Sequence, residues 1–414
     1  MSGYIEDRWL KKRPNNKTGK RERTAIYGKC TRYRVKGIVG VKGRSFAVLQ
    51  DAKAWLAHAQ TDVRRGEFTD PRDGAINVKE YIESHWWPTR SGDPGTLERI
   101  EQRLRGHIIP HLGPLPLNSV GPEALRGWMK RLERDLGPPS IRLIWGTLSG
   151  VLQAAVEECR IARNPCRSHS SVKPPSAPAG RLEAWPRERV LTVREALPER
   201  YRVLIEIGAG LGLRQGEAFG LSLEDIDFTH EVIRVRRQVK IIGTRQCFAI
   251  SKSKKLREVP LPSSVAVALR QHVDSWAPIG VTLPWGDPRP PETPAEGKYR
   301  KPKTCKLLVV TPQGAALNRN HFNSGVWKPA LSDAGVIGEP KVVKGRRVWD
   351  QSREHGYHAL RHFYASEQLE AGESIVSLAQ WLGHSDPAFT LRKYAHFLPR
   401  AGAYGKAAID TIFV

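Results

Sequence analysis

With 414 residues, 40% of them hydrophobic, the chain is longer than one typical domain and can bury two or three separate cores. Its 67 lysines and arginines against 42 aspartates and glutamates leave a formal charge of +25, which favours a polyanion, and nucleic acid above all, as partner. No apolar run of about 18 residues and no lipidation motif occurs, which sets aside a membrane span or a lipid anchor.

The opening stretch MSGYIEDRWLKKRPNNKTGK is basic and lacks an apolar centre, so no secretory signal is expected and it reads as a mobile arm. Residues 1–70 form a small separate module. Around Arg32, Tyr33, Arg34, Val35 and Lys36, β-forming residues mix with basic ones, and glycines at 37, 40 and 43 suggest turns between short strands. A helix follows, with Asp51 as N-cap and Trp55, Ala59 and Val63 on one face. Arg32, Arg34 and Lys36 are candidate DNA contacts; a basic oligomerisation or solubility tail is the alternative.

Residues 75–170 carry apolar positions at helical spacing: Leu97, Ile100, Leu104 and Ile108, then Leu125, Trp128, Leu132 and Leu136, then Ile144, Leu148, Val151 and Leu152. Pro110, Gly121-Pro122 and Gly137-Pro138-Pro139 punctuate them, predicting a compact helical bundle with Arg99 and Arg103 among its DNA-facing candidates. Residues 171–184, rich in proline and serine, read as an extended linker. The five cysteines (30, 159, 166, 247 and 305) are odd in number and never form Cys-x-x-Cys, which fits a reducing cytoplasm and speaks against a zinc module.

Residues 185–414 read as a mixed α+β domain. A helical stretch from Tyr201 to Leu221 holds glycines 208, 210 and 212, read as thinning the chain for close approach to DNA, and then Arg214, with Glu217 one turn on to orient it. Alternating segments at Val232–Val239 and Cys247–Leu261 predict strands, with Lys252, Lys254, Lys255 and Arg257 reaching into a groove. Residues 277–306 read as a surface insertion. The last stretch, YHALRHFYASEQLEAGESIVSLAQWLGHSDPAFTLRKYAHF, places His358 and Arg361 three apart on a helix, His384 after a Leu-Gly break, and Tyr394 ten residues further.

Two guanidiniums, two imidazoles and a phenol suit an attack on a phosphodiester. Its transition state gains negative charge at the non-bridging oxygens, and Arg supplies a permanently charged, planar two-point donor. A phenol with an ordinary pKa near 10 needs a base or a cationic site to lose its proton, and His358 and His384 are the candidates. His358 and His362 also stand at i and i+4, a metal-like spacing, but there is neither the glutamate of a zincin nor a nearby cysteine, so no metal and no other cofactor is expected. Any single pair reads more plainly as a solvated helix face; the joint order of the pieces is what carries the chemistry.

That order resembles the tyrosine recombinase (phage integrase) family: Leu213-Arg214-Gln215-Gly216-Glu217, Lys252 in SKSKKLREVPLP, His358 with Arg361, Leu382-Gly383-His384, and Tyr394. The resemblance spans about residues 191–397. It implies a multidomain, mainly α protein with small β elements: an arm-type DNA-binding module, an all-α core-binding bundle and a catalytic domain closing on a duplex like a clamp. It further implies site-specific DNA strand exchange through a 3′-phosphotyrosyl bond. Tyr394 would attack, Arg214 and Arg361 bind the phosphate, His358 act as base, His384 bond a non-bridging oxygen, and Lys252 protonate the 5′-oxygen, with Lys254 and Lys255 as alternatives for that last role. Expected partners are double-stranded DNA attachment sites, a homotetramer assembled on them, an excisionase and a host DNA-bending protein. The terminal segment 409–414 would dock on a neighbouring subunit or pack on its own domain. The expected location is cytoplasmic, at the bacterial nucleoid. A dimer-resolving or inverting recombinase, a type IB topoisomerase-like enzyme and a non-catalytic regulator are the alternatives.

Overall fold

The computed structural model describes residues 3–167 except 17, 40, 66, 67, 69 and 71, then 171–176, 183–251, 256–349, 354–398 and 411–412. The chain divides into two compact units, residues 1–179 and 180–414. No helix among the described residues is long and apolar enough to cross a membrane.

In the first unit, the strand Tyr33–Lys36 lies between Tyr4–Asp7 and Arg44–Phe46, antiparallel to both. Alternation turns Tyr33 and Val35 towards the helix Leu49–Arg65, where Val35, Ala52 and Ala59 are buried against Trp55, Leu56 and Val63. The opening residues are thus not a free arm. Tyr4–Asp7 is an edge strand whose Glu6 and Asp7 carboxylates hold Lys36 and Arg32. Asp51 lies inside the first helical turn rather than at the cap, where its charge still complements the helix dipole.

The bundle contains the helices Pro94–Arg103, Pro122–Asp135 and Pro138–Glu157, and its core includes Leu104, Ile108, Leu125, Trp128, Leu148 and Leu152. Pro110 does not separate two helices as expected. A π turn, Leu104–Ile108, bonds the Ile109 N–H to the Leu104 carbonyl and carries the helix straight into Ile109–Leu112; this wider turn gives the proline ring room. The expected linker is anchored at its start, because Val172 is buried in this core; residues 177–182 lie outside the described residues.

In the second unit, the helix Glu199–Ile205 passes through a π turn, Glu206–Gly210, and breaks before the short helix Gln215–Phe219, so the expected continuous helix is interrupted just ahead of Arg214. Val232–Val235 pairs with Ile226–Asp227 and Arg257–Pro260, and Gln238–Ile242 pairs with Arg245–Ala249 across Gly243. The 277–306 segment is only partly an insertion. Its ends, Ile279–Leu283 and Lys303–Leu307, form a hairpin that buries Val281 and Cys305, because apolar residues alternate there beneath the turn-rich sequence between them. Lys341–Val343 and Arg346–Val348 form a further exposed hairpin, closed by Lys344 and Gly345 at positive φ. Three helices, His358–Glu370, Ile375–Leu382 and Pro387–Tyr394, complete the described domain.

Candidate active site

The helix His358–Glu370 is the axis of the site. The Tyr357 hydroxyl donates to the Leu204 carbonyl at 2.7 Å and anchors the helix start. Two of the glycines before Arg214 serve this packing, Gly208 against Leu360 and Gly212 against Tyr364, while Gly210 faces Val265. Gly212 sits at φ +64, and a Cβ there would lie 2.4 Å from the Tyr364 ring, so only glycine lets the two segments meet. Its carbonyl accepts from Arg361 Nη1 at 2.8 Å.

Arg361 is 1% exposed and, among the described residues, has no carboxylate bonded to it. Its Nη2 donates to the Leu382 carbonyl and to His384 Nε2, the latter at 3.1 Å. Three of the five N–H bonds of its guanidinium are therefore engaged. Burial, and after it the charge of Arg214, push its pKa down to about 9, so it remains a cation at neutral pH.

Arg214 stands at the N-cap of Gln215–Phe219, with its side chain 24% exposed. Glu217 reaches back to it twice, accepting from the Arg214 backbone N–H and from Nη1, both at 3.0 Å. The orienting role expected for Glu217 is thus visible, and among the described residues four of the Arg214 guanidinium N–H bonds remain for an anion. Glu217 is itself gripped by Arg257, whose Nη1 and Nη2 reach its two oxygens at 3.0 and 2.6 Å. Arg257 also donates from Nε to the Trp381 carbonyl at 2.7 Å. Arg257, expected to project into a groove, instead points inward. The register of Arg257–Pro260 against Val232–Val235 turns it to the protein side, where the Glu217 carboxylate compensates its charge. Burial tends to raise the Glu217 pKa, but Arg257 and then Arg214 and Arg361 hold it at about 2.

His384 follows Gly383, the left-handed C-cap of Ile375–Leu382. Its Nε2 accepts from Arg361, which places its proton on Nδ1, 2.8 Å from the Thr390 hydroxyl. The donor expected for a phosphate oxygen is an acceptor here, and the Thr390 hydroxyl, able to give or take a hydrogen bond, permits the exchange of tautomers. Burial and then Arg361 and Arg214 push His384 down to about 3.

Tyr394, the last residue of Pro387–Tyr394, is 1% exposed. Burial raises its pKa to about 12, while Arg361 and Arg214 pull the other way. Its hydroxyl lies 2.7 Å from Nδ1 of His362, not from His358. His358 is exposed and stands one turn earlier, its ring edge-on to His362 with centroids 4.6 Å apart. The imidazole at the phenol is therefore that of His362, weighed from the sequence only as half of a metal pair, and not that of His358, the expected base. The i, i+4 spacing brings both rings to one helix face, and the sequence signal is the extra histidine directly after Arg361. Desolvation by the surrounding protein, then Arg361, Lys393 and Arg214, push His358 down to about 4 even though one side of it meets solvent.

Among the described residues, no three His, Cys, Asp or Glu side chains gather to hold a metal ion. Lys252 and Lys254 lie outside the described residues, as does most of the 399–414 tail. Of the candidate DNA contacts, Arg32 and Lys36 are paired to Asp7 and Glu6. Arg99 is exposed beside Arg103, whose pKa is lowered by burial and by Arg99.

This constellation, two guanidiniums and a phenol drawn from separate segments of one α+β domain, has the chemistry suited to a phosphodiester. The sequence model described as the phage integrase family matches residues 183–279. The integrase of Mycobacterium phage D29 is 27% identical over 360 residues, 84% of each chain. The fold is similar to that of the Tn1549 transposon integrase in complex with a circular intermediate DNA, with a TM-score of 0.61 at 18% identity over 81% of this chain and 99% of that one. It is also similar to a lambda integrase tetramer bound to a Holliday junction, with a TM-score of 0.53 at 15% identity over 89% and 93% of the two chains. The chain is thus similar to phage and transposon integrases of the tyrosine recombinase type, in sequence and in fold.

Proposed function

We propose that the chain is the integrase of a phage or another mobile element, exchanging DNA strands between two attachment sites through a 3′-phosphotyrosyl bond. The observation that carries this reading is the buried Arg361 cation, which interacts electrostatically with both Arg214 and Tyr394 and, among the described residues, has only backbone carbonyls and a neutral imidazole bonded to it. A buried charge without a directly bonded counter-ion is a site that an anion stabilises.

In the reaction, Arg214 contributes most of the free donors to the scissile phosphate and Arg361 the buried charge. His384 turns Nε2–H to a non-bridging oxygen once the phosphate replaces Arg361 as its partner, and His358 lines the solvent side. Tyr394 attacks phosphorus, and Lys252 protonates the departing 5′-oxygen. The phosphotyrosyl bond keeps the energy of the bond it replaces, so a 5′-hydroxyl of the partner duplex reverses the step. Exchange needs paired sites, which fits assembly as a tetramer on DNA, as in the lambda integrase structure. An excisionase and a host bending protein would set direction.

Incubating the protein with a fragmented library of the element's ends and host DNA tests this. The expected product is recombinant joints between one element sequence and one host sequence. Relaxation of supercoiled DNA with no joints would replace this reading by a topoisomerase-like one.

A further inference from the structure

We propose that His362 takes the phenolic proton when Tyr394 attacks, and returns it when the strands are rejoined. This rests on the reading of Tyr394 as nucleophile, and adds a catalytic residue that the motif boxes do not contain.

Three imidazoles belong to the site, and their bonding separates them. Both nitrogens of His384 are engaged, one by Arg361 and one by Thr390. His358 meets the ring of His362 rather than the phenol. His362 alone of the three has a nitrogen within hydrogen-bonding reach of the Tyr394 hydroxyl, at 2.7 Å, the distance required of a general base. It is fixed there by the helix, one residue beyond the buried Arg361, so the base and the phosphate-binding charge move as one body.

The proton balance is simple. With its proton on Nε2, His362 accepts the phenolic O–H at Nδ1. As the Oη–P bond forms and the P–O5′ bond breaks, that proton passes to Nδ1 and the 5′-oxygen receives one from the general acid. Rejoining runs each transfer backwards. The groups facing His362 are Lys393, His358, Arg361 and His384, along with Tyr394 itself. Burial, and then those neighbours, push it down to about 2, so its lone pair is free at any working pH. They also oppose protonation until a phosphodiester arrives. The negative charge of the phosphate cancels part of that field, so the imidazole becomes a competent acceptor only when DNA occupies the site.

The test uses the full-length protein and a nicked suicide duplex carrying the cleavage sequence, with the covalent adduct followed in a single turnover from pH 5.5 to 9.5. His362→Asn keeps a polar atom near the Nδ1 position but cannot accept the proton. It and His362→Ala should retain DNA in mobility-shift assays yet form adduct on the order of 100-fold more slowly at pH 7. Their rate should climb with pH as hydroxide takes over, against a flatter wild-type profile. A duplex with a 5′-bridging sulfur, whose leaving group needs no acid, should rescue a Lys252→Ala variant but not these two. Variant rates within threefold of wild type, faster adduct formation, or a loss with an unchanged pH profile would each overturn the proposal, the last assigning His362 to packing alone. Adduct formed by Tyr394→Phe would instead remove the parent reading.

Discussion

Arg257 and Glu217 form a two-point ion pair from which solvent is almost excluded, with side-chain exposures of 6% and 0%, and the same carboxylate holds the candidate phosphate-binding Arg214. Arg257 further ties this pair to the Trp381 carbonyl, at the end of the helix that leads into His384. Two distant segments of the site are thus fixed by one guanidinium.

Removing that guanidinium leaves a buried carboxylate bonded only by Arg214 among the described residues, with Arg361 compensating it from further off. Arg257→Ala should lose about 3–5 kcal/mol of stability, and Arg257→Lys less, because an ammonium keeps the charge without the two-point fork. Denaturant titration of both variants checks this; a loss below 1 kcal/mol in the alanine variant would show that the pair is not structural.

Acid should weaken the domain in two stages. His358, His362 and His384 have folded pKa values below the ordinary 6.5, so the unfolded chain binds more protons beneath that value and stability falls as pH drops under about 6.5. Glu217, at about 2 in the folded state, is likewise protonated first in the unfolded chain, and its contribution disappears from about pH 4.5 down to 2. Thermal unfolding across this range should show the first decline start near 6.5, and a His358→Gln, His384→Gln double variant should flatten it.

Gly212→Ala should be costly although it adds one methyl group. The backbone there is left-handed and the new Cβ would press on Tyr364, so about 1–3 kcal/mol is expected, together with a shift of the carbonyl that holds Arg361. Unfolding midpoints measure the first effect and the covalent-adduct rate the second.

In the first unit, Arg34 and the Arg99–Arg103 pair are the stronger candidates for phosphate contacts, since Arg32 and Lys36 are already held by carboxylates. Replacing Arg34, Arg99 or Arg103 by alanine should each lower the slope of log affinity against log salt by about 1, while Arg32→Ala changes it less. Titrations at several salt concentrations on one duplex decide this.

The site was legible where chemistry fixes spacing along the chain. Arg214, His358, Arg361, His384 and Tyr394 stand in boxes whose order marks them as candidates, and the apolar periodicity of the bundle marked its helices. Arg257 was not legible as a buried residue, because a basic hairpin reads as solvent-facing until strand register shows which side each residue takes. His362 was hidden for a related reason: spacing within one helix pairs it with His358, and only the approach of a second helix brings the phenol to it. The glycines before Arg214 carried the right signal, close approach, but the partners are Leu360, Val265 and the Tyr364 ring.

The most direct test of the account is to capture the covalent protein–DNA adduct on a nicked suicide duplex, digest it, and identify the modified residue by mass spectrometry. The account predicts a nucleotide on Tyr394 through the 3′-phosphate, and no adduct from Tyr394→Phe. A nucleotide on any other residue, or equal adduct from the phenylalanine variant, would contradict it.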